Sequence, residues 1–184
     1  MPHLASLPED ATLIQVFTRH PAVSQALMAL HEAIMRDPAP FTPAQREAIA
    51  AYVSKLNACQ YCHGVHASAA VGLGESAEDV QQICELPDAP PDPALAPVLS
   101  YVRKLTLSPS TVSKADADRI LSAGWDEDAV SYAAYVAALY GFMNRLVEGH
   151  GIKGTPEYRE TGGKRLAEIG YAGLAKLLQQ SHQG

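Results

Sequence analysis

Apolar residues recur at spacings of three and four along most of the chain, and Val, Ile and Thr rarely alternate with polar residues. That is the helical period, and it predicts an all-α protein. Residues 9–20 place Leu13, Val16 and Phe17 on one face of a short helix. Residues 21–35 follow, with Val23, Leu27, Leu30 and Ile34 as the expected buried stripe, ended by Pro38-Ala39-Pro40. Thr42-Pro43-Ala44-Gln45 opens the next helix: Thr42 caps, Pro43 takes the first helical position and Gln45 closes a capping box. Its apolar face is Ile49, Val53 and Leu56, and Asn57-Ala58 end it. A further helix is expected over 59–71, stopped by Gly72-Leu73-Gly74. Ser76, with Glu78 and Asp79 behind it, caps a short helix through Ile83 and Cys84.

Residues 85–93 form the one clear linker, stiffened by four prolines. Beyond it the style of the first part returns. Asp92-Pro93 starts a helix carrying Val98, Tyr101, Val102 and Leu105, and Ser113 with Asp116 caps a short one to Ala123-Gly124. Asp126 opens a long apolar helix that ends at Gly149-His150-Gly151. A last amphipathic helix, over 163–180, is expected to pack on a neighbouring subunit. The expected organisation is a single domain, 1–184, with a first half 1–84, the linker 85–93 and a second helical half 94–184. Tyr52-Val53 and Tyr135-Val136 occupy comparable places in long helices of the two halves. This is compatible with a degenerate internal duplication in which Cys59-Gln60-Tyr61-Cys62 is replaced by Phe142-Met143-Asn144-Arg145.

With 47% hydrophobic and 18% charged residues over 184 positions, the composition is that of an ordinary globular protein with one well-buried core. The formal charge is −6 and no Lys/Arg cluster is placed to follow a phosphate backbone, which argues against nucleic acid as a partner. Residues 1–20 lack the basic and apolar regions of a secretory signal, and no stretch approaches the length of uninterrupted apolar sequence that spans a membrane. Three closely spaced cysteines do not make an extracellular disulfide framework, so a cytoplasmic protein is expected.

The candidate chemistry lies in residues 47–74. Cys59 and Cys62 stand at i and i+3 of a helix start, where their Cα atoms lie about 5 Å apart, within disulfide range. The unpaired amides and the positive end of the dipole favour a thiolate there. His66, four residues after Cys62, shares its face of the helix. If the chain reverses near Asn57-Ala58, Glu47 and His66 come to heights differing by only about 4–5 Å along antiparallel helices. Direct or one-water hydrogen bonding between them is then expected. Glu47 would orient His66, and His66 would take the proton from Cys62. Glu47→Gln is expected to leave the fold intact while raising the Cys62 pKa. The pair with His63 and His66 also has the look of a zinc site, but no second Cys/His pair follows to close one. Neither a metal nor a resident cofactor is expected.

The pattern Glu47-x11-Cys59-x-x-Cys62-x-x-x-His66 on a helical hairpin resembles the alkylhydroperoxidase AhpD family, within the wider carboxymuconolactone decarboxylase-like superfamily. The motif covers 47–66, and the resemblance extends with its flanking helices over about 40–74. Asn144-Arg145 further resembles the branch described as peroxidase-related proteins. The resemblance implies a thiol-dependent peroxidase without haem or metal. Cys62 would be the attacking thiolate, Cys59 the resolving partner, and Glu47 and His66 the proton relay. A small-molecule hydroperoxide would be the substrate and an external dithiol, such as a lipoyl group, the electron donor. It implies a homo-oligomer, a dimer, trimer or hexamer. One departure stands out: AhpD proper carries histidine immediately before the second cysteine, where this chain has Tyr61, and His63 is the neighbouring residue that would have to compensate. Arg145 is expected to pair with Glu148 at i+3, and Cys84 to be an inert core thiol. The rival readings are a redox sensor or dithiol electron carrier without turnover, and a carboxymuconolactone decarboxylase-like lyase in which the cysteines are incidental.

Overall fold

The computed structural model describes residues 1–180; positions 181–184, the end of the expected second half, lie outside the described residues. All regular structure among the described residues is helical: α1 (Leu13–Arg19), α2 (Pro21–Met35), α3 (Pro43–Leu56), α4 (Gln60–Gly72), α5 (Ala77–Glu85), α6 (Ala96–Leu107), α7 (Lys114–Ser122), α8 (Glu127–His150) and α9 (Pro156–Gln180), with short 3₁₀ turns at 93–95 and 109–111. None of these helices is long and apolar enough to cross a membrane.

The expected caps are formed. Thr42 and Gln45 make a capping box at α3, Ser113 and Asp116 one at α7, and Asp126 accepts the Ala129 amide at the start of α8. An unforeseen capping box, Thr12 with Gln15, moves the start of α1 to Leu13. The α3–α4 reversal falls at Asn57-Ala58, with Ala58 in the left-handed region at φ 56°.

α3 is the axis of the fold. It does not bury one stripe: Ala44 and every residue from Arg46 to Ser54 are buried, because α4, α5, α6 and α8 all pack against it. A helix surrounded in this way needs small side chains, and Ala44, Ala48, Ala50 and Ala51 supply them. The buried Arg46 donates to the carbonyls of Ile34 (2.7 Å) and Asp37 (2.9 Å), which braces the connection from α2.

On α2 the expected stripe holds at Ile34 and, in part, at Leu27, but not at its other two positions. Val23 and Leu30 are exposed, and the buried face is Ser24, Met28, His31 and Met35 together with Ile34. α9 begins earlier than expected, at Pro156, and packs on α4 and α2 of its own chain. The approach to α4 is close enough that a Cβ on Gly163 would collide with the Val65 carbonyl oxygen. α9 is interrupted at Gly170 (φ 65°, ψ −174°), a conformation that glycine accommodates without strain. There Glu32 of α2 accepts the Ala172 amide at 2.8 Å, capping the restarted helix and fixing Tyr171 beside it. The positions paired by the duplication differ in setting. Tyr52 is buried and Tyr135 exposed, and α8 runs unbroken through 142–145 where the first half breaks between α3 and α4.

Candidate active site

Cys59 is the N-cap of α4 and Cys62 lies one turn in. Both thiols are free and buried, within a small apolar cluster that includes Leu7, Ala11, Val147 and Ile152. The residues before α1 and the end of α8 therefore seal the pair from outside. Cys59 is 0% exposed, whereas Cys62 opens onto a cavity of about 100 Å³ bounded by α1, α2, α4, α8 and α9. Its walls are mainly apolar, among them Leu13, Phe17, Met28, Val65 and Leu166. Room for several water-sized groups remains inside it.

His66 shares that wall, and its Nδ1–H donates to Glu47 Oε2 at 2.6 Å, the contact expected from the hairpin arithmetic. Because a carboxylate only accepts, Nδ1 holds the proton and Nε2 of the neutral ring is left free as a base. Glu47 is 0% exposed and receives two more partners: an ion pair to Arg36 Nη2 at 2.7 Å and the Tyr171 hydroxyl at 3.0 Å. Tyr140 in turn donates to the Tyr171 oxygen at 2.8 Å, since the single Tyr171 proton is committed to Glu47. Burial works against the Glu47 charge, but His66 and Arg36 outweigh it and hold the carboxyl below its ordinary pKa. Glu47 is thus a charge fixed from α4, α9 and the α2–α3 connection.

The two thiols interact with each other through a side-chain hydrogen bond. That bond lowers the Cys59 pKa, while Cys62 is pushed well above a free thiol by the same bond and by burial. The more acidic sulfur of the resting dithiol is therefore Cys59, although Cys62 is the one on the cavity. Two groups touch the pair that sequence reasoning did not place. Asn144 of α8 donates to the Cys62 sulfur. Its carboxamide is oriented by Asn57 Nδ2, which donates to Oδ1 at 2.9 Å, and by Ser54 Oγ, which accepts from Nδ2 at 3.0 Å. Glu148 hydrogen-bonds the Cys59 thiol and pairs with Lys153 at 2.6 Å, not with Arg145, which donates to the Gly141 carbonyl instead.

Tyr61 does not replace the histidine of AhpD proper as a base. Burial raises its pKa well above the ordinary phenol value, and its hydroxyl bonds Tyr158 at 3.3 Å. His63 points elsewhere, with Nδ1 donating to the Ala51 carbonyl at 3.0 Å, and it does not line the cavity. Cys84 is buried away from the motif with its thiol raised to about 11 by burial. Among the described residues, no three of His, Cys, Asp and Glu converge as a metal-ligand set.

A second imidazole, absent from the sequence reading, lines the cavity: His31 of α2, only 2% exposed. Burial lowers its pKa to about 4, in spite of the Leu27 carbonyl and Glu47, and His66 adds to the lowering. Glu47 from α3, His66 from α4, Tyr140 from α8 and Tyr171 from α9 are the titratable groups around it. The consequence for stability has a definite sign. Below its ordinary pKa the unfolded ring takes up a proton that the folded ring refuses. His31 therefore contributes fully above about pH 6.5 and loses about 3 kcal/mol as the pH falls to about 4. Urea midpoints measured at pH 7 and pH 4.5 should separate strongly for the wild type and less for His31→Gln; equal separations would contradict the neutral buried ring.

Comparison with known proteins agrees with the resemblance. Residues 21–101 match the model of the carboxymuconolactone decarboxylase family. This segment holds Glu47, Cys59, Cys62 and His66, and also His31 and Arg36, while Tyr140, Asn144 and Tyr171 lie beyond it. No curated protein matches the chain. Among solved structures, an uncharacterized peroxidase-related protein from Silicibacter sp. TM1040 is 22% identical with a TM-score of 0.74, over 80% of this chain and 78% of that one. A second, described as an alkylhydroperoxidase AhpD core and an uncharacterized peroxidase-related protein, from Ralstonia eutropha JMP134, is 22% identical with a TM-score of 0.73, over 81% of this chain and 78% of that one. At this identity they establish the AhpD-like all-helical fold.

Proposed function

For a chain with the AhpD-like fold and a carboxymuconolactone decarboxylase family segment, we propose a dithiol-dependent reductase of organic hydroperoxides. The observation that carries the reading is the shared wall: Cys62 and His66, with His66 Nδ1 committed to Glu47, open on one apolar cavity. His66 Nε2 takes the Cys62 proton, which offsets the raised thiol pKa by supplying the base that a buried thiol requires. The Cys62 thiolate attacks the terminal oxygen of R–O–O–H, the O–O bond breaks, and the alkoxide leaves as R–OH with the proton held by His66. Cys62 becomes a sulfenic acid, and Cys59 displaces water from it to form the disulfide. An external dithiol, a lipoyl group being the expected chemistry, restores both thiols by exchange.

No resident metal or cofactor enters this cycle, and the cytoplasm, which keeps thiols reduced, suits it. Assembly of identical copies would cover the exposed Val23, Leu30, Tyr135 and Phe142. The apolar lining favours an organic hydroperoxide over hydrogen peroxide. The test is consumption of cumene hydroperoxide by the purified protein with dihydrolipoamide as reductant. Multiple turnovers, faster than with hydrogen peroxide, are expected. A single round of disulfide formation without turnover would instead mark a redox sensor.

A further inference from the structure

We propose that His31 is a second substrate-binding imidazole of the cavity, whose Nε2 accepts the O–H of the bound hydroperoxide while Cys62 attacks that same oxygen. The inference rests on the peroxidase reading above and adds a residue to it.

His31 Nδ1–H donates to the Leu27 carbonyl at 2.7 Å, one turn back on α2. The proton of the neutral ring is thereby placed on Nδ1, and Nε2 presents a bare lone pair. The ring cannot swing away from this pose. Tyr171 lies against it at 4.9 Å between centroids, tilted by 34°, and Tyr140 meets it edge-on at 6.2 Å. Nε2 has no hydrogen-bond partner among the described residues, yet it is not one of their sealed polar atoms without one, such as Arg46 Nε. On a ring that is 2% exposed and lines the cavity, the surface left to Nε2 faces the cavity.

An unpaired acceptor in an apolar enclosure costs free energy unless something donates to it. Burial keeps His31 neutral across physiological pH, so it asks for a donor and offers none at Nε2. A hydroperoxide has one such donor, the hydrogen on its terminal oxygen. Held by that hydrogen, the terminal oxygen is the atom presented to Cys62. As the S–O bond forms, the electron pair of the O–O bond leaves with R–O. The sulfur is oxidised by two electrons and the peroxide reduced by two. The hydrogen bonded to His31 stays on the oxygen now part of the sulfenic acid. The proton removed from Cys62 passes from His66 to the alkoxide. The two imidazoles thus divide the work: His66 moves a proton and His31 holds one in place.

The test compares two reagents that reach the same sulfur. Stopped-flow rates of Cys62 modification are measured in the whole protein with cumene hydroperoxide and with methyl methanethiosulfonate, which has no hydrogen-bond donor. His31→Leu is expected to slow the hydroperoxide reaction about tenfold or more, the loss of one hydrogen bond, and to leave the thiosulfonate rate within about twofold. His31→Gln, which restores a carbonyl acceptor, should recover much of the hydroperoxide rate. Equal losses with both reagents would assign His31 a packing role only. Unchanged rates with both would mean that Nε2 meets nothing but water. Either result overturns the proposal and leaves the peroxidase reading standing. A wild-type Cys62 inert to hydroperoxide but open to the thiosulfonate would overturn both. Should the leucine variant fail to fold, His31→Phe keeps a ring against Tyr171 without an acceptor and takes its place.

Discussion

Cys62→Ser is expected to reduce hydroperoxide turnover to background, while Cys59→Ser reduces about one equivalent and then stalls or turns over slowly. The asymmetry follows from access, not acidity. The hydrogen bond between the thiols makes Cys59 the easier sulfur to ionise, but Cys59 is sealed beneath the residues before α1 and the end of α8. Cys62 has the cavity and His66. A serine hydroxyl at that position is too weak an acid to supply an anion, and it cannot carry the sulfenic acid that the cycle needs. With Cys59 replaced, the first oxidation still occurs and its product has no internal thiol to resolve it. Rapid-quench product analysis with a sulfenic-acid probe distinguishes the two variants. Turnover that survives in Cys62→Ser and fails in Cys59→Ser would reverse the roles. Hydroperoxide turnover that survives in both would remove the dithiol from the chemistry.

Glu47→Gln should lower both stability and rate, because the same carboxylate serves two masters. The sequence alone, with His66 as the only visible partner, predicts an intact fold for this variant. Arg36 changes the expectation: its guanidinium side chain, 12% exposed, meets a carboxylate that is 0% exposed. Removing one charge of such a pair leaves the other poorly solvated, at a cost of about 3 kcal/mol, the low end for a buried pair because Arg36 keeps some exposure. The Tyr140–Tyr171 chain loses its anionic end as well. For the chemistry, an amide can donate to His66 Nδ1 and push the ring proton onto Nε2, which abolishes the base; the rate of Cys62 oxidation should fall about 100-fold or more. Denaturant midpoints and stopped-flow oxidation are the two measurements. A variant with wild-type stability would deny the Arg36 pair its weight, and one with a wild-type oxidation rate would remove Glu47 from the relay. Acid separates Glu47 from His31. The lowered Glu47 pKa means its stabilisation is present above the ordinary carboxylate range and is lost only as the pH falls below it, whereas the His31 contribution is already declining from about pH 6.5.

The sequence by itself determined the helical class, most helix ends and the core of the candidate site. These are local properties. A period of three and four, a Thr-Pro-x-Gln start or a Ser-x-x-Asp box acts within one or two turns of chain, and the Glu47–His66 contact needs only one hairpin to form. What only the tertiary structure decided is whatever depends on which way a helix faces. α2 shows this most clearly: its apolar positions suggest that Val23 and Leu30 turn inward, yet these are exposed and His31 is buried. A helix rotated by the demands of its neighbours cannot announce that rotation in its own residues, and a histidine on the polar-looking side gave no signal of its burial. Tyr171 and Asn144 stand 124 and 82 positions from Glu47 and Cys62, respectively (171 − 47 and 144 − 62), so no spacing rule links them to the motif. Tyr171 reaches Glu47 because α9 breaks at Gly170 and Glu32 caps the restart. The order of acidity within the dithiol was likewise hidden. A helix N-terminus favours thiolates in general, but burial and the sulfur–sulfur hydrogen bond, both set by packing, determine which of the two ionises first.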